Sequence, residues 1–342
     1  MPKTSDIYKN LYHYTTWDGV LGILRTKRMW ATHYKFLNDY TEITLFRDRL
    51  VNLILPYVKE VYDELIKHSP HAKSKIDEEG GLNQVVRHDT EAFVDAQYHA
   101  TGNEIYIVSF CGEHMNSHIN NNGLLSQWRG YGPGGGFTIV FDTQELEEIL
   151  SLEVQKYEYG MIHLSDVVYS GDDKKLQEEF YESLSVIADD VRQVFNKLKA
   201  PDYELVLNGF QPFATCISRY KHHSFCEENE VRIVALPTVV NKNIIELAAN
   251  DGVTLKTEKE RKFREKNAGL VPYIEIFDSP DIDLPIKRII VGPHKEKESR
   301  AAALRVMLRN TDIEIHCSDI PVCRVINEGK LGQIYLSLIN SK

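Results

Sequence analysis

Cysteine is scarce: the 342 residues hold five, an odd number and widely scattered, which argues against a disulfide framework and for a reducing compartment. Long apolar runs are lacking too. No stretch approaches the roughly 18 uncharged apolar residues of a membrane span, and the opening MPKTSDIYKN has no apolar centre of signal-peptide length. A soluble, cytoplasmic protein with no membrane partner is therefore expected. Excess positive charge is missing as well: 40 Lys and Arg against 50 Asp and Glu give a formal net charge of −10. The whole chain has no attraction for nucleic acid or anionic lipid, so any such binding needs a local patch. No repeat or low-complexity tract marks a linker. What remains is ordinary globular composition, 42% hydrophobic and 26% charged, enough to bury a sizeable core.

Periodicity divides the chain into short strands separated by helical stretches. Ile7 to Thr15 reads as a strand, and Thr15 with Asp18 has capping-box spacing ahead of Trp17, Val20, Leu21 and Leu24. After a turn at Asn38-Asp39, Leu50, Leu53, Ile54, Tyr57, Val61 and Leu65 recur at helical spacing, with Pro56 a kink. Residues 69–102 look irregular, with one helix, and strands are expected at Ile105–Cys111 and Phe137–Phe141. A clear amphipathic series runs from Leu176 to Leu198, and a further helix from Leu205 to Lys221 is interrupted at Pro212. Glu230–Leu236 alternates as a strand, 256–266 reads as an exposed charged helix or loop, and strand, helix and strand follow to Cys317. The fold class is α+β: one enlarged domain over 1–342, with helical insertions at about 43–100 and 173–222.

Three segments combine a strand end with reactive or aromatic groups. At Tyr12-His13-Tyr14-Thr15, an imidazole at a strand-to-helix junction either addresses a ribose or phosphate, or is a core histidine satisfied by backbone. In Gln127-Trp128-Arg129-Gly130-Tyr131, two aromatics and a cation either form a stacking wall or sit in a turn with their rings in the core. The following GPGGG lacks the Lys-Ser/Thr of a phosphate loop and leads into a strand rather than a helix. In FCEENEVRI, alternation puts Glu230 and Arg232 on one strand face, as a reactive pair or a structural one. Cys111, His114 and His118, and separately His222, His223 and Cys226, have ligand-like spacing, but no CxxC or HExxH supports a metal site and none is expected. Six basic residues in KTEKERKFREK form either a solvated face or one edge of a nucleic-acid path.

Taken in order, YHYT, MWA with FLND and Glu42, VSFC, QWRGYG, FCEENEVRIV and IIVGP resemble the bacterial family called domain of unknown function 2971, over about Tyr8 to Cys323. A first-strand His followed by Thr and a helix, a middle aromatic block and a late strand bearing Glu also resemble, more distantly, the ADP-ribosyltransferase superfamily. That resemblance implies a split β-sandwich with NAD as substrate and a His, Tyr, Glu triad, here His13, Tyr131 and Glu230. It further implies that His13 meets the NAD ribose, the Tyr14–Thr15 backbone the nicotinamide amide, Tyr131 or Trp128 the ring, and Arg232 or Arg129 the pyrophosphate. The expected function is an NAD-dependent ADP-ribosyltransferase, a glycosyltransferase acting on NAD, or an NAD-cleaving toxin-like enzyme of antiviral defence. Its acceptor would be nucleic acid or protein. The competing expectation is a ligand-sensing or interaction module without turnover. Gln at position 230 is expected to impair turnover and leave the fold intact.

Overall fold

In the computed structural model the described residues are 3–37, 41–101, 104–132, 135–195, 210–250, 252–266, 269–280 and 282–321. The expected turn at Asn38-Asp39, the helical positions Leu198 and Leu205, Pro133 and Gly134 of the glycine run, and Cys323 lie outside them.

Helix α1 (Thr4–Ile7) precedes strand β1 (Asn10–Thr15) and helix α2 (Trp17–Thr26). The cap of α2 is Thr16, whose hydroxyl accepts from Gly19 N at 3.2 Å, one residue later than the Thr15 spacing suggests. After β2 (Met29–His33) come α3 (Thr41–His68), which carries Pro56 inside it, α4 (Pro70–Glu78) and α5 (Leu82–Thr101). The stretch read as irregular thus holds two helices. It looked polar because α4 buries only Ile76, and Ser69 with Pro70 starts it.

Next are β3 (Tyr106–Gly112), α6 (Ser117–Asn122), α7 (Leu125–Tyr131), β4 (Phe137–Asp142), α8 (Thr143–Lys156) and β5 (Tyr157–Asp166). The second group of helices, α9 (Asp173–Glu179), α10 (Tyr181–Phe195) and α11 (Phe210–Arg219), lies between two-residue strands β6 (Val168–Tyr169) and β7 (Tyr220–Lys221). Strand β8 (Glu230–Pro237), helix α12 (Lys242–Asn250), β9 (Thr257–Glu258), β10 (Lys262–Lys266) and β11 (Gly269–Ile276) follow, then β12 (Ile286–Val291), α13 (Lys297–Met307) and β13 (Glu314–Cys317). The segment expected as a charged helix or loop is thus extended. Its charges suit strand β10, which lies at one end of the sheet path, where they discourage pairing with a second chain.

The described strands form a large mixed sheet in the order β10-β11-β2-β3-β1-β4-β12-β13, with β8 and then β5 continuing from β3. Within it pairing is antiparallel except for β12 with β13 and β5 with β9, and β6 and β7 form a separate two-stranded parallel sheet. With the helices between strands, this is an α+β fold. One core joins the two arms of the sheet: Leu11, Ile139 and Ile289 come from β1, β4 and β12, Met29, Ala31 and Ile274 from β2 and β11, and Val108, Phe110 and Ile233 from β3 and β8. A second core packs α3, α5, α10 and α11 together and onto the outer face of β8 through Val234 and Leu236. Each buried large apolar side chain contributes about 1.5–3 kcal/mol, so the helical insertions brace the strand that carries Glu230. Among the described residues, no helix is long and apolar enough to cross a membrane.

Candidate functional site

The site begins with an unpaired stretch of strand edge. On one edge, β3 pairs continuously with β8, from Tyr106 opposite Ala235 to Cys111 opposite Glu230. On the other edge β2 takes Tyr106 and Ile107, while β1 takes Cys111 and Gly112. Among the described residues, Val108, Ser109 and Phe110 have no strand partner there, because β1 and β2 diverge and α2 connects their far ends. A cavity of about 840 Å³ fills the opening. Ser109 and Cys111 line it from one face of β3, Val108 and Phe110 from the other, so it follows the open edge.

His13 closes part of that edge. Its Nδ1 lies 2.9 Å from the Ser109 carbonyl, a backbone acceptor that the divergence of β1 and β2 leaves without a strand partner. The carbonyl can only accept, so Nδ1 carries the proton and Nε2 keeps a lone pair. Burial holds the imidazole below the usual histidine range, with the Ser109 hydrogen bond pulling the other way. At neutral pH His13 is therefore a neutral acceptor at Nε2. From His13 to Thr15, β1 keeps β4 on one edge and has no strand among the described residues on the other, so Tyr14 and Thr15 present backbone to the opening.

Glu230 sits where β8 begins. Asn229 just before it adopts a left-handed conformation (φ 46°), held by Tyr8 Oη donating to its Oδ1 at 2.9 Å and by its own Nδ2 donating to the Glu113 carbonyl at 2.9 Å. This reversal brings Glu228 and Glu230 to the same lysine. Lys221 Nζ lies 2.7 Å from Glu228 Oε2 and 3.0 Å from Glu230 Oε2. Arg232 grips the same carboxylate with Nε on Oε1 at 2.8 Å and Nη2 on Oε2 at 3.0 Å, while its Nη1 donates to the Ser218 carbonyl at 2.9 Å. Burial alone would raise the Glu230 pKa, but Arg232 and then Lys221 lower it to about 2. Two carboxylates and two cations balance one another, which is what makes the burial affordable.

A pH dependence follows. The folded-state pKa of about 2 lies below the ordinary 4.5, so this stabilisation is complete above pH 4.5 and is lost as pH falls toward 2. The contribution is about 3 kcal/mol. Urea unfolding at about pH 5 and about pH 3 should show the parent losing more stability than Glu230→Gln. Equal losses would mean that Glu230 is not held ionised.

The glycine-rich block is not the expected turn: Leu125–Tyr131 is helix α7. Trp128 lies under it, 4% exposed, with Nε1 donating to the Asn122 carbonyl at 3.0 Å and the Tyr14 ring edge-on at 4.9 Å. A Cβ on Gly123 or Gly292 would stand 2.5 or 2.8 Å from the indole, so both positions need glycine to admit the ring. Trp128 therefore packs in the core and does not line the cavity. Tyr131, one turn later and half-buried, does line it, together with Gln127 and Gly130. Arg129 is exposed and is not part of the lining, and Arg232 is engaged by Glu230 and Ser218. Arg232 nonetheless borders the cavity.

Three cavity residues were missed in the sequence. Ser109 matters through a backbone carbonyl, and Arg264 lay in the misread charged segment. Trp30, 39% exposed between buried Met29 and Ala31, did leave a signal: a tryptophan on the open face of a strand. Among the described residues no three His, Cys, Asp or Glu side chains come together as a metal site. A second cavity, about 980 Å³, opens along β5 beside α9–α11 and is the larger of the two. It contains none of the sequence-derived site residues, and its rim at Gln211 adjoins residues 196–209, which lie outside the described set.

Residues 127–233 match the family described as protein of unknown function (DUF2971). The match is shorter than the order of sequence blocks suggests. It takes in Trp128, Arg129, Tyr131, Glu230 and Arg232, and His13 lies before it. Neither the curated proteins nor the solved structures gave a match.

Proposed function

We propose that the cavity binds NAD and that the protein is an NAD-dependent ADP-ribosyltransferase or NAD-cleaving enzyme, of the kind that serves as a toxin or in antiviral defence. One observation carries this reading: His13, Tyr131 and Glu230, from three distant segments, border one cavity where the sheet splits. A split sheet with such a triad is what resemblance to the ADP-ribosyltransferases implies.

Breaking the bond between nicotinamide and ribose sends the bonding electrons to the leaving nicotinamide and develops positive charge at the sugar carbon. A fixed carboxylate stabilises that charge more than it stabilises the substrate, and Glu230 is ionised throughout the neutral range. His13 Nε2 accepts from a ribose hydroxyl, the backbone of Tyr14 and Thr15 meets the nicotinamide amide, and the Tyr131 ring lies against the base. Water or an acceptor nucleophile on nucleic acid or protein then bonds to the sugar carbon and releases its proton to solvent.

His13→Ala should weaken NAD binding about tenfold or more and cost only about 1 kcal/mol of stability, because water entering the cavity can serve the Ser109 carbonyl. Melting curves and NAD titration on one preparation test this. A large fall in melting temperature with unchanged NAD affinity would mark His13 as purely structural.

A second reading, a ligand-sensing module without turnover, is favoured by one feature: both oxygens of Glu230 already have cationic partners. Incubating the purified protein with NAD, with and without cell RNA, DNA and protein, and measuring free nicotinamide separates the two. Release supports the enzyme; NAD binding without release in every mixture supports the sensor.

A further inference from the structure

Most cations around the split arm formed by β2, β11 and β10 have an acidic partner. Arg28 and Lys262 share Glu275, at 2.5 and 2.9 Å, and Arg261 pairs with Glu104 at 3.2 Å and Glu258 at 2.9 Å. Arg264 differs. It lines the cavity, yet its guanidinium makes one hydrogen bond, from Nη2 to Thr32 Oγ1 at 3.0 Å, and its buried Nε has no partner among the described residues. Its carbon centre lies 5.3 Å from the Trp30 ring centroid and 5.9 Å from that of Tyr273. Burial depresses its pKa, with Tyr273 acting weakly in the opposite direction.

Such a group is costly. A half-buried cation without a charged partner gives up part of its hydration, and contacts with two rings return only some of that loss. The two ring centroids are 4.7 Å apart, so both rings lie to one side of the guanidinium and the N–H groups on its other side remain for a ligand. A planar fork of N–H donors matches the oxygens of a phosphate, where it can bond two at once. Alternation along β10 places Arg264 on the same strand face as Lys262 and Glu265 on the other, although Glu265 also borders the cavity.

We propose that Arg264 is the phosphate-recognising residue of the cavity, and that it holds the pyrophosphate of a dinucleotide whose ribose meets His13 across the split. The pyrophosphate rests on the NAD reading; recognition of phosphate by Arg264 does not. This places the charged part of the ligand on the β10–β11–β2 arm and its sugar on the β1 arm, so the substrate spans the opening. Of the candidates from sequence, Arg129 lies outside the lining, while Arg232 borders the cavity with its guanidinium on Glu230 and the Ser218 carbonyl.

Calorimetric titration of the parent, Arg264→Gln and Arg264→Lys with inorganic pyrophosphate, ADP-ribose and nicotinamide riboside tests the proposal. In Arg264→Gln, pyrophosphate and ADP-ribose should bind about tenfold more weakly or worse, with Arg264→Lys intermediate because it keeps charge and loses the fork. Nicotinamide riboside, which has no phosphate, should change by less than about twofold. The melting temperature of unliganded Arg264→Gln should be unchanged or higher, since a half-buried charge without a charged partner has gone. Unaltered ADP-ribose affinity in Arg264→Gln, an equal loss for all three ligands, or no binding of pyrophosphate and ADP-ribose by the parent would overturn the proposal. If the parent releases no nicotinamide from NAD and ignores nicotinamide riboside, while pyrophosphate binding still depends on Arg264, the NAD reading fails and phosphate recognition stands.

Discussion

Replacing Glu230 with Gln is expected to slow nicotinamide release about a hundredfold or more, equivalent to about 3 kcal/mol of lost transition-state stabilisation. The amide keeps the shape of the side chain and loses the charge that opposes the developing cation. It also leaves Arg232 and Lys221 with Glu228 as the one carboxylate between them. Breaking a buried pair on one side costs about 3–5 kcal/mol, so the variant should melt well below the parent. The expectation from sequence that Gln leaves the fold intact was made without the contacts of Lys221 and Glu228 to this network. Turnover is therefore measured below the variant's own transition. The double variant Glu230→Gln with Lys221→Met, which restores the charge balance, separates the two effects: it should recover part of the lost stability and none of the lost rate. A parental rate in folded Glu230→Gln would remove the carboxylate from the mechanism.

Trp128→Ala is expected to be the most damaging single change to the described core outside the ion network, at about 3–5 kcal/mol. The indole fills the space between Gly123, Gly292 and the Tyr14 ring, and its Nε1 satisfies the Asn122 carbonyl. Truncation opens a cavity where the flanking glycines have no side chains to move into it. Tyr131→Ala removes a half-buried ring at the cavity wall. It should leave the melting temperature within a few degrees of the parent and weaken NAD binding by about 1–3 kcal/mol, the scale of stacking on an aromatic. Thermal denaturation of both variants decides the assignment. Equal stability losses, or a harmless Trp128→Ala, would mean that the two aromatics have been given each other's roles.

The contrast between these rings shows where sequence information ran out. Period-two alternation was enough to predict that Glu230 and Arg232 share a face, and apolar runs located β3, β4 and β12, because strands buried in the core carry their signal locally. Helix α7 was missed because QWRGYG holds two glycines, and its helicity comes from Trp128 packing beneath β1, a long-range contact. Strand β10 was missed because its charged sequence KFREK reads as solvated, whereas Lys262 pairs with Glu275 of the neighbouring β11 and Arg264 lies against the rings of Trp30 and Tyr273. The cavity was the least legible feature. It exists because β1 and β2 share one edge of β3 and leave Ser109 between them, and no local pattern records which strand edge stays open.

The account's central claim, that this opening binds NAD and cleaves it with the help of Glu230, is tested most directly by following nicotinamide release from saturating NAD by the purified parent and by Glu230→Gln. It predicts steady release by the parent and a rate about a hundredfold lower in the folded variant. Parent protein that binds NAD and releases no nicotinamide, or a variant as fast as the parent, would contradict it.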